Sequence, residues 1–163
     1  MNRQTKDEFR AIITSEEETA AFGQALAKLL RAGDVVCLRG DLGAGKTTLT
    51  RALVAGMGSP APVSSPTFTL VHEYRGGSLP IWHVDAYRLT GAQDTVDIGL
   101  EEVLLTGEGI VVIEWPERIE ASLPDDRLDV SIRDTGGDTR EIILTPKGPR
   151  WVEFSNQWAE QWQ

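Results

Sequence analysis

The stretch Gly40-Asp41-Leu42-Gly43-Ala44-Gly45-Lys46-Thr47 meets the pattern G-x-x-x-x-G-K-[ST] at every fixed position. A phosphate-binding loop of this kind needs a strand before it and a helix after it. Both are readable: Val35-Val36-Cys37-Leu38-Arg39 is a short, mostly apolar run suited to a buried strand, and Thr48 to Met57 reads as a helix. The glycines let the backbone turn tightly around phosphates, while loop N–H groups and the helix N-terminus supply positive potential. Lys46 can reach the outer phosphates, and Thr47 can hold a magnesium ion. The expected ligand is a nucleoside triphosphate.

Upstream of the loop, Ser15-Glu16-Glu17-Glu18 has the S-x-x-E form of a capping box. Phe22, Ala25, Leu26, Leu29 and Leu30 then follow the spacing of one helical face, which predicts a helix from about residue 15 to 31. Gly33 is placed to stop it and Asp34 to open the strand behind it. The three glutamates complement the helix dipole without any need for a site.

Downstream, Gly56 to Pro66 is dense in Gly, Pro and Ser, and predicts a long connection beside the phosphate site. Such a segment is either a plain linker or a part that closes on the outer phosphate. Thr67 to Tyr74 and Pro80 to Asp85, separated by Gly76-Gly77, predict an antiparallel hairpin. Alternation puts His83 and Asp85 on one face of its second strand. His83 reads more simply as a hydrogen-bonded core histidine than as a catalyst, and Asp85 as either a turn cap or a site carboxylate. Asp94 to Leu105 predicts a further helix, and Ile110-Val111-Val112-Ile113 a strand buried on both faces that ends in Glu114. A carboxylate at such a strand end is well placed to bind magnesium. Leu128 to Ile132 and Glu141 to Leu144 are two more strand candidates, joined by the turn-rich Asp134 to Asp138. Trp151, Phe154, Trp158 and Trp162 form an aromatic stripe, which is either packed on the domain or a partner surface.

The 163 residues, 40% hydrophobic and 25% charged, suit one α/β domain: a phosphate-loop NTPase-like mixed sheet flanked by helices, with an antiparallel hairpin. The expected organisation is a flexible segment over residues 1–13, a domain over 14–146 and a packed helical tail over 147–163. The single cysteine, Cys37, cannot form an intrachain disulfide and reads as a small buried hydrophobe. A net charge of −9 argues against autonomous binding of a polyanion. No apolar run approaches about 18 residues and no signal core opens the chain, so a cytoplasmic protein with no membrane attachment is expected.

The candidate reacting set is Lys46, Thr47, Asp85 and Glu114, with Ser65-Pro66-Thr67 nearby. Hydrolysis needs magnesium on the outer phosphates and a polar group to orient water, and Asp85 suits that second task. Two alternatives stay open: a phosphoryl-transfer kinase with Asp85 as acceptor base and Arg88 on the phosphates, and a nucleotide sensor that does not hydrolyse. GTP is disfavoured, because the only asparagines, Asn2 and Asn156, form no N-K-x-D element.

The order of Gly40 to Thr48, Ser65-Pro66-Thr67-Phe68-Thr69-Leu70-Val71, His83-Val84-Asp85-Ala86-Tyr87-Arg88-Leu89 and Glu114-Trp115-Pro116 resembles the bacterial TsaE family, over about residues 14 to 146. The resemblance implies a small ATPase needed for N6-threonylcarbamoylation of adenosine 37 in tRNAs that read ANN codons. It implies ATP and Mg2+ as cofactors and a TsaB-TsaD heterodimer as partner, with tRNA met only through that complex. By position it implies that Leu42, Gly43, Ala44, Gly45, Lys46 and Thr47, with Thr48 beside them, hold the ATP phosphates, and that Thr47 and Glu114 bind magnesium. Asp85 would lie at the hydrolytic centre and Thr67 in a nucleotide-responsive segment. Glu16 and the Thr139-Arg140 region would lie near the nucleoside.

Overall fold

Phe9-Arg10-Ala11-Ile12-Ile13 alternates in burial, with Ala11 and Ile13 turned inward, and this period of two forms strand β1 (Phe9–Ile13). The structure, a computed structural model, describes residues 8–41, 43–63, 71–89 and 99–162. The expectation of a flexible segment over residues 1–13 is therefore corrected for Phe9–Ile13. Their backbone pairs antiparallel with the far end of the chain, from Phe9 opposite Leu144 to Ile13 opposite Arg140.

Helix α1 (Glu16–Leu29) starts at the predicted cap, where Ser15 Oγ accepts from the Glu18 N–H at 3.1 Å. Glu18 reaches back to accept from the Thr14 N–H at 2.6 Å. The remaining elements are β2 (Val35–Arg39), α2 (Lys46–Gly56), β3 (Val71–Tyr74), β4 (Ile81–Asp85), α3 (Leu100–Thr106), β5 (Ile110–Glu114), a 3-10 stretch (Pro116–Ser122), β6 (Arg127–Gly136), β7 (Thr139–Lys147) and α4 (Trp151–Gln161). The predicted helical residues 94–98 and the start of the predicted hairpin, residues 67–70, lie outside the described residues.

The strands form one sheet in the order β1-β7-β6-β2-β5-β4-β3. Strands β6, β2, β5 and β4 run parallel, while β7 and β1 on one side and β3 on the other are antiparallel to their neighbours. This is the expected α/β architecture, with β3 and β4 as the expected hairpin. Because side chains alternate along a strand, β2 feeds two cores. Val36 and Leu38 pack with Phe22, Leu26, Leu49 and Leu53 under α1 and α2. Val35 and Cys37 pack with Leu100 and Ile119 on the opposite face. Burial, with Asp129 adding to it, pushes the Cys37 thiol up to about 12, so it stays protonated and inert.

Small residues let α1 and α2 approach closely: a Cβ at Gly23 would lie 2.3 Å from the Ala52 Cβ. The C-terminal stripe is core. Trp151, Phe154 and Trp158 are buried, and Phe22 meets Trp158 edge-on with centroids 5.2 Å apart. At the start of α4, Arg150 donates to both carboxylate oxygens of buried Asp34, at 2.8 and 2.7 Å, and to the Leu29 carbonyl at 3.0 Å. That bidentate pair joins the end of α1, the start of β2 and the start of α4. Among the described residues, no helix is long and apolar enough to cross a membrane.

Candidate functional site

The site lies at the carboxyl ends of the parallel strands, where an open α/β sheet exposes its loop backbone. The chain leaves β2 through Gly40 and enters α2 at Lys46. Gly43 and Gly45 both have left-handed backbone, with φ of 78° and 110°, which their lack of a Cβ permits. Gly45 is the N-cap of α2 and offers no side chain to its N–H groups, so these stay available to an anion. Arg140 of β7 braces the loop by donating from Nε to the Ala44 carbonyl at 3.1 Å. Leu42 and Thr67, both expected in the site, lie outside the described residues.

Lys46 is only 5% exposed, and its Nζ is buried without a hydrogen-bond partner among the described residues. Instead it stands 3.4 Å from the centre of the Trp115 ring. Burial lowers its pKa, against the opposing pull of Glu114, Glu117, Asp85 and Asp41. A desolvated ammonium with no internal acceptor is suited to a ligand that brings its own negative oxygens.

Glu114 ends β5 and is 3% exposed. In register it lies opposite Leu38 of β2 on one side and Asp85 of β4 on the other. Parallel pairing thus brings together the two carboxylates that the sequence places 29 residues apart, from 85 to 114. Asp85 is half-buried, and its Oδ1 accepts from the Tyr87 N–H at 3.0 Å, so it caps the turn after its strand while facing the site. His83 is fully buried, and its Nε2 lies 2.5 Å from Glu114 Oε2. On its other side His83 Nδ1 lies 3.4 Å from the Tyr74 hydroxyl, which is 3.4 Å from His72 Nδ1. Both histidines of the chain therefore belong to one polar path that ends on Glu114.

A cavity of about 370 Å³ opens beside the loop, lined among others by Glu16, Ala44, Gly45, Thr48 and Arg140. It brings the start of α1, the start of α2 and the β6–β7 hairpin to one place. Thr47 is half-buried in the first turn of α2. Thr139 does not line this cavity, and its carbonyl accepts from Thr135 Oγ1 and Arg140 Nη1. No three His, Cys, Asp or Glu side chains converge on one point among the described residues.

Three further residues have site contacts whose partners the sequence reading did not name. His83 was separated from Glu114, because its contact depends on the register between β4 and β5. Trp115 adopts φ 59° and ψ 48°, although the residue before a proline ordinarily prefers extended backbone. Tyr87 meets the Trp115 ring with centroids 5.0 Å apart. The aromatic in Glu114-Trp115-Pro116, directly after the strand-end carboxylate, was the one available signal.

Comparison with known proteins agrees with this geometry. The family model described as "Threonylcarbamoyl adenosine biosynthesis protein TsaE" matches residues 13–142. The tRNA threonylcarbamoyladenosine biosynthesis protein TsaE of Bacillus subtilis (strain 168) is 44% identical over 135 residues, covering 83% of this chain and 84% of that protein. Its counterpart from Streptomyces coelicolor is 46% identical over 137 residues, covering 80% and 91%. A crystal structure of YdiB from Bacillus subtilis superposes with a TM-score of 0.82 at 36% identity, covering 94% of this chain and 95% of that one. With the family model spanning most of the chain and relatives above 40% identity on both counts, the chain belongs to the TsaE family.

Proposed function

We propose that this protein is a magnesium-dependent ATPase that serves N6-threonylcarbamoyladenosine formation at position 37 of tRNAs reading ANN codons, working on a TsaB-TsaD partner in the cytoplasm. The observation that carries the ATPase reading is the buried Lys46 ammonium, which has no hydrogen-bond partner among the described residues and stands behind an uncapped helix N-terminus. The tRNA assignment rests on family membership. The acidic chain suits a component that meets tRNA only through a partner.

The donor set fits ATP and magnesium. Loop N–H groups and Lys46 would hold the phosphates, the Thr47 hydroxyl and the Glu114 carboxylate would hold the metal, and the cavity bounded by Glu16 and Arg140 would take the nucleoside. When bound, magnesium supplies charge neutralisation on the outer phosphates. His83 fixes the Glu114 carboxylate, and Asp85, held by the Tyr87 N–H, faces the same end of the sheet and can orient water.

Three measurements test this. Incubation with labelled ATP and cell metabolites should release free phosphate; a labelled acceptor would instead identify a kinase. Depletion from the cell should lower threonylcarbamoyladenosine in bulk tRNA, with rescue by the wild type and none by Lys46→Ala. Unchanged modification after depletion refutes the assignment. Within the ATPase, Glu114→Ala should lower turnover more than ATP affinity, because metal charge matters most as the transition state develops.

A further inference from the structure

The candidate site holds one buried cation among several carboxylates, a composition that would ordinarily collapse into an internal ion pair. Asp41, Asp85, Glu114 and Glu117 all act on Lys46, and Glu114 most strongly of the four. Yet Nζ hydrogen-bonds to no group among the described residues and rests on the Trp115 ring at 3.4 Å. Glu114 is engaged from the opposite side by His83 at 2.5 Å. The ring is held in place at some conformational expense. Trp115 is the only non-glycine residue with positive φ among the described residues, and Tyr87 packs against its indole. A bulky residue keeps such a backbone only where its surroundings over-determine it.

We infer that Trp115 is a positioning residue that keeps the Lys46 ammonium off the Glu114 carboxylate, so that the empty site does not neutralise itself and Lys46 stays available to phosphate oxygens. An aromatic face suits this task because it attracts a cation without a formal charge or a hydrogen-bond acceptor. A phosphate can then displace the ring, where it would have to compete against a buried ion pair. The inference rests on the nucleotide reading proposed above.

The test uses the full chain and magnesium-free ATP in EDTA, so that Glu114 is not needed as a metal ligand. In the ligand-free wild type, NMR of labelled lysine should show the Lys46 ε-methylene signal displaced by the ring current of Trp115, and Trp115→Leu should remove that displacement. Trp115→Leu should bind ATP about tenfold more weakly, because phosphate must then part Lys46 from Glu114 rather than from the ring. Trp115→Phe should keep much of the affinity and part of the displacement. Adding Glu114→Gln to Trp115→Leu should recover the lost affinity, because the competing carboxylate is gone; a purely structural loss would not recover. An undisplaced Lys46 signal, wild-type affinity in Trp115→Leu, or no recovery in the double variant overturns the inference. Should Trp115→Leu not fold, Trp115→Phe with no displacement and full affinity overturns it equally. A folded wild type with the displaced signal and no ATP binding refutes the nucleotide reading while supporting the hold of the ring on Lys46.

Discussion

A cation stands at either end of strand β2, and the two are treated in opposite ways. At the leading end, Arg150 is met by both oxygens of Asp34 and by the Leu29 carbonyl, and its guanidinium stacks on Trp151 at 4.5 Å. At the trailing end, Lys46 is the more deeply buried, and its Nζ has no hydrogen-bond partner among the described residues. Five strand residues separate two uses of positive charge. The first is answered within the chain and joins three elements. The second is left unanswered, which is what a binding site for an anion requires.

The contrast can be broken by substitution. Arg150→Ala leaves the Asp34 carboxylate buried with the Arg31 N–H but no counter-charge, and should cost about 3–5 kcal/mol of stability, read as a large fall in urea midpoint. ATP affinity should barely change; a parallel loss of binding would mean that the two ends are not separable. Lys46→Ala should do the reverse, weakening ATP binding by about 100-fold as charge-assisted hydrogen bonds disappear. Its thermal midpoint should hold or rise, since a desolvated ammonium is removed; calorimetry showing a clear fall would contradict the picture of a cation kept for a ligand.

Smaller effects sharpen the contrast. Ser15 borders the cavity beside the loop, yet its hydroxyl is the cap of α1. Ser15→Ala should therefore cost about 1 kcal/mol of stability with less than a twofold change in ATP affinity. A larger binding defect would give Ser15 a role at the ligand. Between the ends lies Cys37, with its thiol pushed up to about 12 by burial. An unfolded thiol titrates near about 8.5, so the folded state keeps its proton longer. Its contribution is fully present below that pH and is lost as pH rises toward the folded value. Denaturation of wild type and Cys37→Ala at rising alkaline pH should show a steeper decline for the wild type; identical slopes would mean that the thiol titrates freely.

What could be read from residues alone was what local chemistry dictates. The loop at Gly40 to Thr47, the hairpin turned at Gly76-Gly77 and the strand ending in Glu114 all carry short-range signals, and their sheet placement follows. The strand at Phe9–Ile13 was missed because a five-residue run declares itself only through its partner, which lies at the far end of the chain. Helix α1 ends at Leu29, two residues before the expected stop, because Asp34 captures the Arg31 N–H at 2.7 Å. His83 was read as a core histidine, and it is one. That its partner is Glu114 depends on a register between two strands with α3 between them in sequence. The backbone at Trp115 runs against the preference set by Pro116, and aromatic packing from Tyr87 decides it.

The close approach of α1 and α2 has a consequence for the cavity one turn away. Its two helical walls are the first turn of α1 and the first turn of α2, and the gap between them is gauged by the missing methyl of Gly23 against Ala52. Position 23 therefore acts as a shim set outside the cavity. A single carbon added there would force the walls apart, and the shape of the cavity would change without any lining residue being altered.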